Sequence, residues 1–171
     1  MMPSIELRLA TMRRALNEVI LPAIAADNAL AREQAQLLVA HLDLMAVQLA
    51  EAATVDAMIA RGTETLASGL VARAAGGVHT QAAAHALRAQ LNDGRPCTST
   101  ARRAALAAAI DALLGALALD GETACRHAAH DLIVEHALRD GMVERVFFAS
   151  NGLDPERAEL PSLANLLALT R

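Results

Sequence analysis

Between Asn28 and Arg61 the apolar residues recur with the period of a helix. At about 100° per residue, Leu30, Leu37, Leu38, Leu42, Leu44, Met45 and Leu49 fall on one broad side. Gln34, His41 and Gln48 fall in the middle of that side, one heptad apart. A buried polar group without a partner costs roughly 1–3 kcal/mol. The pattern therefore predicts an interior polar seam that some other helix, subunit or ligand must satisfy.

The same spacing predicts helices on either side. Ser4 is a good N-cap for a first helix reaching about Ile20, with Ile5, Leu9, Met12, Leu16, Val19 and Ile20 on one face. Arg14 and Glu18 form an i,i+4 pair on the other face, and Pro22 breaks or kinks the chain at the end of this helix. Asp27 or Asn28 caps the long central helix, which is expected to end near Arg61, before Gly62. A shorter helix over Thr63–Ala75 is expected to close at Gly76-Gly77.

Thr80 to Leu91 places Ala84, Leu87 and Leu91 inward and His85 outward. Asn92-Asp93-Gly94-Arg95-Pro96 reads as a loop between two halves of a single domain, 1–171. Thr98, Ser99 or Thr100 caps a helix with the stripe Leu106, Ile110, Leu113 and Leu117, which Asp120-Gly121 stops. Glu122–Arg139 is expected to stop at Asp140-Gly141, Met142–Ser150 at Asn151-Gly152, and Pro161–Leu169 to form a last apolar helix that must dock. The fold class is all-α, a multi-helix bundle of about six to eight helices around a long central one.

Composition sharpens this picture. Hydrophobic residues make up 54% of the 171, aromatics only 1%. Ala and Leu favour helices, and scattered β-branched residues give strands little support. Fifteen basic residues, all arginine, against 19 acidic ones give a net charge of −4. Arg13-Arg14 and Arg102-Arg103 are short clusters without neighbouring aromatics, so nucleic-acid binding is disfavoured, and Arg102-Arg103 reads as a solvated face. Cys97 and Cys125 match no CxxC spacing. Charge comes too early for a signal peptide, and the weakly polar run Ala104–Leu119 is too short and mild to span a bilayer. A cytoplasmic protein without a membrane span is expected.

Chemistry has one further candidate. His127 and His130 lie in the predicted stripe of Ile133, Val134, Ala137 and Leu138, with Asp131 at its edge and His136 projecting to solvent. A bundle that brought His41 against His127 and His130 could hold zinc or iron, with a carboxylate orienting the imidazoles. Glu-x-x-His, HExxH, P-loop and nucleophile-elbow motifs are absent from the sequence, and no motif calls for a cofactor. The alanine-lined helices with Met12, Met45, Met58 and Met142 suggest an apolar pocket for an acyl chain as another possibility. The tetrapeptide His85-Ala-Leu-Arg88 returns as His136-Ala-Leu-Arg139, an echo expected by chance in so alanine-rich a chain.

Two resemblances rest on particular residues. His130-Asp131 resembles the His-Asp doublet of HD-domain phosphohydrolases, but Leu132-Ile133-Val134 continues the helix where that family breaks it. Leu9 to Met45, with Val19-Ile20-Leu21-Pro22-Ala23-Ile24 and Ala29-Leu30-Ala31, resembles a family of small all-helical bacterial proteins of unknown function. Members are often encoded beside acyl-CoA dehydrogenase or aminoglycoside-phosphotransferase-like proteins. The resemblance implies an accessory role and supplies no catalytic residues. Together these readings favour a non-enzymatic bundle that associates with itself or a protein partner, with a metal- or apolar-ligand-binding bundle as the alternative.

Overall fold

The computed structural model describes residues 3–94, 98–149 and 154–169, the last three by backbone alone. The predicted loop residues Arg95, Pro96 and Cys97 and the predicted stop at Ser150 to Gly152 lie outside the described residues. The protein is an all-α multi-helix bundle that includes a long helix, as the hydrophobic period implies. Six helices appear among the described residues: α1 (Ile5–Ala15), α2 (Ala29–Arg73), α3 (Val78–Leu91), α4 (Ser99–Asp120), α5 (Thr123–Phe148) and α6 (Leu163–Leu169).

Packing divides the chain into two compact units, Met1–Ala53 with Arg145–Leu163, and Thr54–Glu144 with Ala164–Arg171. Asn92, Asp93, Gly94 and Thr98, on either side of the predicted loop's centre, lie inside the second unit. The division instead crosses α2 and α5, two helices that are longer than their glycines suggested.

In the first unit, Ser4 caps α1 by accepting from the Leu7 N–H at 3.3 Å. A π-helical turn follows over Leu16–Ile20, and the Leu21 N–H donates to the Leu16 carbonyl five residues back. The widening sits directly before Pro22, which lacks an N–H and crowds the preceding turn. Only Leu9 of the predicted inner face is buried; Ile5, Met12, Val19 and Ile20 are exposed. Asn28 caps α2, its Oδ1 accepting from the Ala31 N–H at 3.1 Å. Arg13 reaches Asp43 at 2.8 Å, and Leu9 and Ala10 share a small cavity with Leu42, Ala46 and Leu49. In the same unit Arg145 holds Asp154 through two nitrogens, at 2.9 and 3.1 Å, and Glu156 at 2.8 Å.

The second unit holds the main apolar core. Leu66, Ala67 and Leu70 of α2 meet Ala84 and Leu87 of α3, Leu106, Ile110, Leu113 and Leu117 of α4, and Ala129 of α5. The stripes read for α3 and α4 are the buried ones, because both helices carry one unambiguous row of leucines. The expected breaks at Gly62 and Asp140-Gly141 are absent. One glycine inside a helix costs only about 1 kcal/mol, and tertiary packing offsets that here. A side chain at Gly62 would meet Arg139 at 3.0 Å and Asp140 at 3.1 Å; one at Gly69 would meet Leu132 at 3.3 Å. The glycines are where α5 approaches the α2 backbone.

The start of α3 is capped from a distance. Gly77 offers no side chain, and Asp120, at the end of α4, accepts from the N–H groups of His79 at 2.8 Å and Thr80 at 3.0 Å. The fully buried Thr80 hydroxyl donates to the same carboxylate at 2.7 Å. The Gly77 N–H donates to the Asp120 carbonyl and the Glu122 N–H to that of Ala75, closing the corner. The Thr80 hydroxyl foremost, then the two backbone amides, holds the Asp120 carboxyl below the usual carboxylate range.

Candidate functional site

The residues singled out by the sequence do not gather. Gln34 and His41 are exposed, and Gln48 is half-buried, so the predicted interior seam is corrected to a row on an open helix face. Gln48 keeps one trace of the expectation: its Nε2 is buried with no hydrogen-bond partner among the described residues. His127, His130 and Asp131 are exposed as well. His130 and Asp131 approach to only 3.7 Å, with side chains 76% and 84% exposed. Among the described residues no three His, Cys, Asp or Glu side chains are placed to hold a metal ion.

The reason is a rotation of α5. Its covered side runs through Cys125, Ala129, Leu132, Ile133, His136 and Val143, while Val134, Ala137 and Leu138 face outward. Alanine makes nearly every side of this helix weakly apolar, so periodicity alone could not choose. The two glycines of α2 chose instead, by accepting Leu132 and the residues around Arg139. Consequently His136, expected in solvent, is half-buried, while His127 and His130 turn outward. The His-Ala-Leu-Arg echo dissolves in the same way, since Leu87 is buried and Leu138 exposed. Of the methionines singled out, Met12 and Met45 are exposed and Met58 is buried.

A half-open cavity of about 370 Å³, with charged and apolar lining, does occur in the second unit, where α2 and α5 approach. Met58, Arg61, Gly62 and Thr65 line one wall, Arg139, Asp140 and Val143 the other. Beneath it the Arg139 Nη2 donates to His136 Nδ1 at 2.8 Å, and His136 Nε2 lies 3.3 Å from Asp140. The Arg139 Nε is 3.7 Å from the same carboxylate. With Nδ1 accepting from arginine, the ring proton sits on Nε2, the nitrogen nearer Asp140. Asp140 is 20% exposed and serves both neighbours. The Arg61 guanidinium has no hydrogen-bond or ion-pair partner among the described residues.

The sequence hides this cavity for a physical reason. Arg61-Gly62 and Arg139-Asp140-Gly141 look like helix ends, so their charged groups read as belonging to termini. The usable signal is the recurrence of a charged residue beside glycine in two helices long enough to pass each other. Arg102 and Arg103 are not the solvated face expected of them. Arg102 binds Glu64 at 2.6 Å and donates to the carbonyls of Leu91 and Asp93, and Arg103 binds Asp56 at 2.9 Å. Ser99 also donates to Asp56. They tie α4 to α2 and to the end of α3.

Among the described residues one helix, α2, is long and apolar enough by length and composition to cross a membrane. Its most apolar stretch is almost wholly outside the core. Set against family models, curated proteins and solved structures, the chain matches none.

Proposed function

We propose that the protein is a self-associating helical accessory protein, and that a second copy covers the open face of α2 in the first unit. The observation that carries this reading is the exposure of Leu30, Leu37, Leu38 and Met45 together on that face. Large apolar side chains gathered on one open face mark association surfaces more often than single scattered ones do. The polar centre of the face selects the occupant. Lipid offers nothing to Gln34, His41 and Gln48, and Asp43 and Glu51 also fall in this stretch. A second copy offers the same amides and imidazole in reverse order.

Antiparallel pairing about His41 sets Gln34 against the partner's Gln48 and His41 against the partner's His41, with leucines between. Polar layers of this kind fix register at some cost in stability. The small bacterial helical proteins that the N-terminal region resembles suggest the same accessory role. Light scattering tests the reading. The expected result is a dimer that Leu37→Glu with Leu38→Glu converts to a monomer of unchanged helicity. Gln34→Leu with Gln48→Leu should keep the fold and change the oligomer. A wild-type monomer at every concentration would overturn the proposal.

A further inference from the structure

The cavity between α2 and α5 has a chemistry that self-association does not use. Two guanidinium groups border it, on different helices, with the Thr65 hydroxyl one turn beyond Arg61. Arg139 is already positioned: Asp140 and His136 hold its Nε side and one Nη2 proton, leaving Nη1 uncommitted. Arg61 is not balanced by any carboxylate among the described residues. The lining carries two positive charges against the single negative charge of Asp140, in a chain whose net charge is −4. A planar donor pair of this kind, one guanidinium held beside Asp140 and the other exposed and without a carboxylate among the described residues, matches an oxyanion.

We propose that this cavity binds the phosphate group of a small phosphate monoester. A carboxylate is satisfied by the fork of one arginine. A tetrahedral dianion presents oxygens in several directions and can accept from Arg61 and Arg139 together, while the Thr65 hydroxyl donates to the Arg61 carbonyl at 2.9 Å and stands beside the site. The volume of about 370 Å³ leaves room for a short organic moiety behind the phosphate, and Met58 and Val143 give that moiety apolar walls. Gly62 is part of the site because its missing side chain lets the Arg139 guanidinium lie against α2, next to Arg61. Asp140 and His136 are positioning residues, acting through Arg139.

The site lies wholly in the second unit, so it stands or falls apart from the dimer face. The test is calorimetric titration of the full chain with inorganic phosphate, glycerol 3-phosphate and acetate. Vesicles of phosphatidylcholine with and without phosphatidic acid form a further arm. Saturable binding of one phosphate probe per chain is expected, weakened at least about tenfold by Arg61→Gln and left unchanged by Arg14→Gln. Arg61→Gln is the decisive variant, since Arg61 has no internal partner to lose among the described residues, and circular dichroism verifies its fold. Binding only to phosphatidic acid vesicles, with the same loss in Arg61→Gln, would support the phosphate chemistry and make a lipid headgroup its source. Absence of saturable binding in every arm, insensitivity to Arg61→Gln, or equal affinity for acetate would each overturn the proposal.

Discussion

One heptad row of α2 passes through two environments. In the first unit it reads Gln34, His41, Gln48, and the first two are exposed. Continued by the same seven-residue step it reads Val55, Gly62, Gly69, and in the second unit Val55 is only 4% exposed. Side-chain size follows the environment. Where α5 lies against the helix the row shrinks to glycine; where the face is open, the row carries amides and imidazole. The hydrophobic period alone does not say whether a face is covered. The size of the residues along its centre does, because close approach of two backbones demands small ones.

The largest test of this contrast is truncation in each region. Leu113→Ala, at a position with no exposure, should cost about 2–5 kcal/mol. Leu38→Ala should stay within about 0.5 kcal/mol when the protein is dilute. Urea denaturation measures both, and equal losses at low concentration would mean the open face is covered within a single chain. Repeating Leu38→Ala at high concentration sharpens the comparison, since a dimer makes that residue's contribution concentration-dependent. A second test keeps the heptad position constant. Gly62→Ile drives a branched side chain toward Arg139 and Asp140 and should destabilise by about 1–3 kcal/mol. His41→Ile, three heptads earlier, should leave the monomer's stability nearly unchanged.

Most of the fold is legible in the sequence because its signals are local. Caps at Ser4, Asn28 and Thr98 and the leucine rows of α3 and α4 follow from neighbouring residues. The sequence misleads where distant residues decide. Gly62 and Gly141 read as stops, although the former lies where α5 crosses and α5 runs unbroken through the latter. The histidines read as interior because an alanine-rich helix has no distinct face until a partner selects one. Arg61, Arg139 and Asp140 form no motif, since their proximity arises only from that crossing.

The corner between α3 and α4 gives a smaller, pH-dependent effect. The Asp120 carboxyl is held below its ordinary range in the folded protein, so the folded state binds its proton less readily than the unfolded chain. The stability it contributes is fully present above the usual carboxylate range and is lost as pH falls through the lowered value. Asp120→Asn should therefore lower stability at neutral pH and flatten the acid side of the curve, as followed by thermal melts from pH 7 to about pH 2. Removing an exposed pair has the least effect: Arg13→Gln, breaking the contact to Asp43, should change stability by at most about 1 kcal/mol.

The Asp120 cap also bears on how the protein breathes. Helix ends ordinarily fray, exchanging their first amide protons with solvent long before the whole structure opens. At α3 the N–H groups of His79 and Thr80 are closed by a carboxylate about forty residues further along the chain. Those protons are released only when α4 moves away. In deuterium exchange the beginning of this helix should thus behave as core rather than as an end, and a peptide spanning Val78–Leu91 alone would lack the clasp that starts it.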